Sequence, residues 1–455
     1  MKSFDVVVLG GGPGGLTAGM MLTAMEKSVA LVQAEHDDFG GVCLNRGCMP
    51  TKALLKAATA YRYARQGEKY GLDLSAGPVD LKRLRAVADA DLDKLKGMIQ
   101  GSIDPSPVTI FRGLGSFQSE HEILITKNDG SSEIIRGEQI IIATGSESVE
   151  LPFAPFDGEY ILSSDHMLKN TELPERLLIV GGGAIGCEFA TMYHSFGSQV
   201  TLVEAFETLL PREDAEAGKA LADAFENQGI SVKTGTMIEA LQVENGQVVV
   251  KYKGSETTEI VDKVLVGVGR KPMVAGLNLD AAGVEVEKGA IKVSPAMQTS
   301  VPHIFAVGDV TGGLMLAHAA EKAGAILAMN MAKGANASLD EDGVPRVVFS
   351  YPEVAAIGVS EVKAGMKSFT MSPVPNGRSV VDKVAPAFVK LFAEEESSVI
   401  TGAIIVGEVA TEMIHELALA VDNRLTLEQV GNTVHAHPTH STNVVKAVHH
   451  FQYQA

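Results

Sequence analysis

Two copies of one glycine pattern limit this chain more than any other feature of its sequence. Gly10-x-Gly12-x-x-Gly15 and Gly181-x-Gly183-x-x-Gly186 lie 171 positions apart. Each directly follows an apolar run, FDVVVLG or RLLIVGG, and opens a stretch with helical spacing; a second apolar run, SVALVQAE or SQVTLVEA, comes after it. That order predicts a βαβ unit. Its glycines allow a tight turn, backbone approach to a pyrophosphate and close packing of helix on strand, while the helix N-terminus favours the anion. One such match is weak, because glycine turns between strands and helices are common; two in the same setting predict two dinucleotide sites. An acid roughly 20 residues further on binds a ribose 2′-hydroxyl in such units. Glu204 fills that place in the second copy and no arginine follows nearby to take a 2′-phosphate, so NAD is expected over NADP. In the first copy the same count falls on Gln33, with Glu35 two residues later. Either Glu35 reaches the ribose after a small shift, or Gln33 serves without charge.

At 455 residues the chain is too long for one ordinary core, and several domains are expected. Shorter echoes follow the two units: IIIATGSE at 140–147 and KVLVGVGRKP at 263–272 read as strands ending in glycine turns. Residues 80–100 read as an amphipathic helix with a solvated face, and Asn128-Asp129-Gly130 and Asn245-Gly246 as hairpin turns. AKGANASLDEDGVPR, 332–346, looks like a linker to a domain without a glycine fingerprint. A formal charge of −18 argues against nucleic acid or an anionic membrane surface as partner, since phosphate contacts need basic groups. No apolar run reaches the roughly 18 to 20 residues that span a bilayer, and Met1 runs straight into a strand-like segment, so a cytoplasmic protein is expected. Three cysteines make no secretory framework; any bridge here is expected to be catalytic.

Two of those cysteines stand in GGVCLNRGCMPTK, Gly40 to Lys52, with glycines around them and Pro50 beyond, a pattern suited to a helix start. A thiolate there is stabilised by the helix dipole and becomes reactive. A redox pair is favoured over its rivals, zinc or inert thiols: zinc needs more ligands at short spacing, and the third cysteine, Cys187, belongs to the second glycine turn. Five of the twelve histidines fall in the last 21 residues. A histidine suits the proton transfer that dithiol chemistry needs; His435, His437 and His440 could also hold a metal, or His437 could be a buried, hydrogen-bonded ring.

These motifs together, GGGPGG, the cysteine motif, IIIATGS, GGGAIGCE, VGRKP, IFAVGDVTGGLMLAHAA and HAHPT, run in order through nearly the whole chain. They resemble the class I pyridine nucleotide-disulfide oxidoreductases, and among these the dihydrolipoamide dehydrogenase branch most. The resemblance implies an α/β fold with two Rossmann-like FAD- and NAD(P)-binding domains plus a C-terminal α+β dimerisation domain. The FAD part would be split, 1–150 and 271–335, around an NAD part, 151–270, with the dimer domain at 336–455. FAD would be held by Gly10, Gly12, Gly15, Glu35, Gly41, Gly115, Thr144, Gly145, Ser146 and Asp309, with Met315, Leu316, Ala317 and His318 along the flavin. NAD would be held by Gly181, Gly183, Gly186, Glu204 and Gly269. Lys52 and Glu188 match a pair beside the flavin where hydride is exchanged. Cys43 matches the thiol that exchanges with substrate, Cys48 the flavin-side thiol, and His437 the base that reaches across a homodimer. A lipoyl or other disulfide is the substrate implied, with no nucleic acid, membrane or metal.

The sequence departs from the family pattern where a glutamate should lie five residues after the base, because HPTHST puts Thr442 there. A hydroxyl can fix a tautomer but cannot balance imidazolium charge, so His437 is expected to be a poorer base unless another carboxylate serves it. Three readings follow: an NAD-dependent dihydrolipoamide dehydrogenase-like enzyme, an NADH-dependent reductase of another disulfide, and a low-turnover redox-responsive binding subunit. Gln33, the DPSPV segment at 104–108 and the tail NVVKAVHHFQYQA also depart from the pattern. No second cysteine pair lies near the C-terminus, which argues against reduction of mercury or thioredoxin, and Glu204 argues against an NADPH-dependent glutathione reductase.

Overall fold

The computed structural model describes residues 1–34, 38–371 and 373–454. Its internal contacts form two units, one of Met1–Ala53, Arg85–Val149 and Arg270–Leu339, the other of Leu54–Leu84, Glu150–Gly269 and Asp340–Ala455.

In the first unit the strand Lys2–Leu9 lies at the centre of a parallel sheet, between Val29–Gln33 and Ser132–Ile142. Thr109–Arg112 extends the sheet beyond the former and Ile304–Ala306 beyond the latter. Ser132–Ile142 also closes an antiparallel meander with Leu114–Phe117 and Glu122–Thr126. Side chains leave a strand alternately, so both faces need cover. Val6 and Val8 pack on Ala18, Leu22 and Leu327 of the helices Pro13–Ala24 and Ala317–Lys333. Val7 and Leu9 face Phe117, Ile123, Leu277 and Val310. Burial on both faces is why this strand reads as an unbroken apolar run.

The second unit repeats the plan. Its parallel strands run Ser231–Lys233, Gln199–Val203, Arg176–Val180, Lys263–Val266, Ile161–Leu162. A meander, Ile238–Glu244, Gln247–Tyr252 and Thr258–Val261, again precedes the fourth strand. Asn245 and Gly246 turn its first hairpin with φ of 51° and 79°, the two positive values a two-residue turn needs. The two folds differ at one edge: the fifth strand comes from far downstream in the first and from just upstream in the second.

The same unit holds an antiparallel sheet, Arg346–Val348, Glu353–Gly358, Ile400–Gly407, Phe388–Glu394 and Met366–Met371. The helices Ala410–Asp422, Leu427–Gly431 and Thr442–Gln454 bury Ile414, Leu417, Val430, Val444 and Val448 against Ile357, Val389, Leu391 and Ile405. Its other face is tied to the preceding fold by Lys390, a buried ammonium 2.8 Å from both Asp214 and Glu216 at the start of the helix Ala215–Gln228. The expected helix near 80–100 is Leu81–Ile103. The tail, which the sequence leaves unassigned, is the helix Thr442–Gln454.

Candidate active site and its two nucleotide turns

Both fingerprint helices begin without a capping side chain. Gly12 stands at the N-cap of Pro13–Ala24 and Gly183 at that of Ala184–Phe196, both in extended backbone. Other helices here are capped by side chains: Ser163, Asp214, Asn376 and Thr426 accept from first-turn N–H groups. The two nucleotide helices thus present open donors to an anion. A Cβ on Gly15 would run into the carbonyl oxygen of Gly10, and one on Gly186 into that of Gly181. On Gly12 or Gly183 it would meet nothing within 4 Å. Space stands open in front of each helix and nowhere else in the turn, so the residues present fit a pyrophosphate at both places.

At the end of the second strand the turns share a further bond. Gln33 Oε1 accepts from the Gly11 N–H at 2.7 Å, and Glu204 Oε2 accepts from the Gly182 N–H at 2.6 Å. Glu204 Oε1 also takes the Phe206 N–H at 2.9 Å. Gln33 is therefore the counterpart of Glu204. Glu35 lies outside the described residues.

Around the first turn the other expected FAD residues converge at the carboxyl ends of the parallel strands, where open α/β sheets bind ligands. The Gly40 N–H donates to Gly11 O at 2.8 Å, and Gly41 lies so near Gly12 that a Cβ on it would stand 2.8 Å from the Gly12 Cα. Thr144 Oγ1 donates to Met273 O at 2.8 Å, and the Met273 N–H donates to Gly145 O at 2.9 Å. Ser146 Oγ donates to Asp309 Oδ2 at 2.5 Å and accepts from Arg270 Nε at 2.8 Å. Met315 has φ of 52°, Leu316 is the N-cap of Ala317–Lys333, and His318 is exposed in its first turn. Gly115 packs against Leu9 at the sheet edge, and Gly269 has φ of 124°.

The segment strapped to the first turn carries the cysteines. Cys43 lies in the short helix Gly41–Arg46 and Cys48 is the first residue of Cys48–Arg65. Both are free thiols. The hydrogen bond from Cys43 to Cys48, then burial, then repulsion by a charge on Cys48 push the Cys43 thiol up, against a smaller pull from Lys52 one turn on. The Cys43 thiol is thus held protonated beside Cys48, which stands at the first position of its helix. Cys187 is buried in the second turn, its Sγ 3.3 Å from Gly182 O, and burial pushes its thiol up. Glu188 is buried in the helix Ala184–Phe196, where its Oε1 accepts from the Phe349 N–H at 3.0 Å.

His437 is exposed, between two histidines held by carboxylates. His435 Nε2 lies 2.6 Å from Glu416 Oε1 and its Nδ1 2.9 Å from Thr433 O. His440 Nε2 lies 2.9 Å from Asp382 Oδ2. Asp382 is held below the usual carboxylate range, first by Arg378 and then by His440. Neither acid is on His437, whose ring makes no hydrogen bond among the described residues. Thr442 Oγ1 donates to Thr439 O at 2.7 Å and accepts from Asn376 Nδ2 at 3.4 Å. The Thr442 hydroxyl is bonded to these two residues and makes no hydrogen bond to the His437 ring. Glu416, Asp382 and Arg270 were not foreseen from the sequence, and no local spacing announces them.

Residues 4–324 match the family described as pyridine nucleotide-disulphide oxidoreductase, and residues 344–448 match its dimerisation domain. The chain belongs to this family. It is 38% identical over 471 residues to a dihydrolipoyl dehydrogenase of Thermus scotoductus, with 100% of this chain and 99% of that one covered. Among solved structures it resembles LpdA from Mycobacterium tuberculosis (TM-score 0.90, 26% identity, 99% and 100% covered). It also resembles a Cu(II) complex of RclA, an HOCl-induced flavoprotein disulfide reductase from Escherichia coli (TM-score 0.88, 26% identity, 99% of each chain covered). As a family member it is an FAD-dependent disulfide oxidoreductase whose cofactors are FAD and NAD(P). No helix among the described residues is long and apolar enough to cross a membrane.

Proposed function

We propose that this family member passes electrons between a substrate dithiol, dihydrolipoamide first among candidates, and NAD, working as a homodimer in the cytoplasm. The observation that carries the reading is the cysteine pair at a helix start, tied through Gly40 and Gly41 to the first nucleotide turn. FAD, held at that turn, supplies the two-electron step that a dithiol and a nicotinamide cannot make directly. NAD is held at the second turn, where Glu204 favours a ribose 2′-hydroxyl and repels a 2′-phosphate. Cys43 exchanges with the substrate disulfide, its proton passing to or from His437 of the partner subunit, while Cys48 keeps the thiolate. Glu188, in the helix that opens at the second turn, is assigned to the nicotinamide, and Lys52, in the helix that begins at Cys48, to the flavin. The domain layout proposed is the split arrangement implied by the motifs, with breaks near 150, 270 and 335.

A second reading, an NADH-dependent reductase of a different disulfide, is favoured by Thr442, which is bonded to Thr439 and Asn376 and leaves His437 without a carboxylate among the described residues. Steady-state oxidation of dihydrolipoamide by NAD tests the first reading. Rates well above a Cys43→Ser control are expected; rates equal to it would leave only the second. Anaerobic NADH titration of the holoenzyme tests both, since each requires a long-wavelength thiolate–flavin absorbance band.

A further inference from the structure

We propose that the pocket beside His437 is an anion site, and that the disulfide this chain acts on carries a carboxylate bound there. The proposal rests on the second reading above, exchange with a disulfide other than lipoamide, and adds the charge of the substrate to it. The pocket, about 270 Å3, lies between the helices Gly377–Asp382 and Thr442–Gln454 and is lined by Asn376, Arg378, His437, Thr439, Thr442 and Lys446 among others.

Both of its permanently charged residues are cations. Lys446 makes no ion pair among the described residues. Arg378 commits only its Nε, to Asp382 Oδ2 at 2.6 Å; its two terminal nitrogens make no hydrogen bond among the described residues. Asp382 does not line the pocket, and the same oxygen is shared with His440. The remaining polar groups, the Asn376 amide and the Thr439 and Thr442 hydroxyls, are neutral. Two cations with free donors on one pocket stand out in a chain of net charge −18, whose overall field repels anions.

Guanidinium and ammonium groups of this kind bind carboxylates through charge-assisted hydrogen bonds. Position 442 decides whether such an anion can enter. A glutamate there would place a carboxylate in the pocket and oppose the ligand's charge; threonine leaves the cations to it. A bound carboxylate would also supply, next to His437, a negative charge that no described residue places at that ring.

Lipoate and lipoamide share the same cyclic disulfide and differ in ending with a carboxylate or a neutral amide. In each case NADH and a proton reduce the disulfide to the dithiol and leave NAD. With the holoenzyme, kcat/KM for lipoate is expected to exceed that for lipoamide. The ratio of the two is expected to fall about tenfold in Lys446→Met and to be kept in Lys446→Arg. Thr442→Glu is expected to lower the ratio at least as much. A ratio unchanged in Lys446→Met and Thr442→Glu would overturn the proposal. If neither disulfide is reduced, the exchange reading fails and the site is judged by binding alone, through calorimetric titration of oxidised holoenzyme with lipoate. Affinity about tenfold weaker in Lys446→Met supports the site, and equal affinity overturns it.

Discussion

The two glycine turns share a backbone and differ in one functional group. At the first, an amide oxygen of Gln33 holds the Gly11 N–H; at the second, a carboxylate oxygen of Glu204 holds the Gly182 N–H, at the same separation of 22 residues. The turn needs an acceptor at the end of the second strand, and a neutral one satisfies it as well as a charged one. Charge at that position is left free to serve the nucleotide. The first turn is closed by a neutral acceptor and the second by a negative one, and a negative acceptor there opposes a phosphate on the ribose of a nucleotide bound beside it.

The harshest way to break this equivalence is to add a methyl group where each turn is closed. Gly15→Ala and Gly186→Ala drive a Cβ into the carbonyl oxygens of Gly10 and Gly181, and each is expected to cost about 3 kcal/mol, read as a melting temperature lowered by several degrees. An unshifted melt in either variant would mean the turns are not built alike. Next in size, Gly12→Ala and Gly183→Ala add a methyl in extended backbone with nothing nearby, so the fold should be spared and only the ligand displaced. Gly12→Ala should purify with less FAD, and Gly183→Ala should keep FAD while its KM for NADH rises about tenfold. The reverse pattern would exchange the two cofactor assignments.

A milder change makes the second turn resemble the first. Glu204→Gln keeps an acceptor for Gly182 and removes the charge, and should raise the NADPH to NADH ratio of kcat/KM about tenfold; Gln33→Glu should leave that ratio as it was. The smallest effect expected is a pH response. Because the Cys43 thiol is pushed up by Cys48 and that of Cys187 by burial, both stay protonated as pH rises through the range of an ordinary thiol. Ultraviolet thiolate absorbance of the reduced protein should therefore register no more than one thiolate up to about pH 9. A second thiolate below that pH, still seen in a Cys187→Ala variant, would show that Cys43 is not held protonated by Cys48.

Much of this was legible in the sequence because it depends on neighbours in the chain. Both strand–turn–helix units, the helix start at Cys48 and the Asn245-Gly246 hairpin follow from spacing and from the few residues that tolerate positive φ. What was not legible depends on distance. Counting along the first unit falls on Gln33 but leaves Glu35 as a rival, and the bond that makes Gln33 the acceptor for the Gly11 N–H exists only in the folded turn. The carboxylates that hold His435 and His440 come from 19 and 58 positions away. The freedom of Thr442 to bond Thr439 and Asn376, and not the base, is likewise a product of tertiary packing.

The edge strands of the two folds set the order in which the polypeptide can complete itself. The second fold has all five parallel strands between Ile161 and Val266, so it closes as soon as that stretch has been synthesised. The first lacks Ile304–Ala306 until the entire second fold has left the ribosome, and its central strand must wait across nearly 300 residues for a complete sheet. Loop closure over such a span is slow, and the unfinished edge beside Ser132–Ile142 exposes unpaired backbone meanwhile. The first nucleotide fold is thus begun before the second and finished after it, and of the two it is the more dependent on protection during biosynthesis.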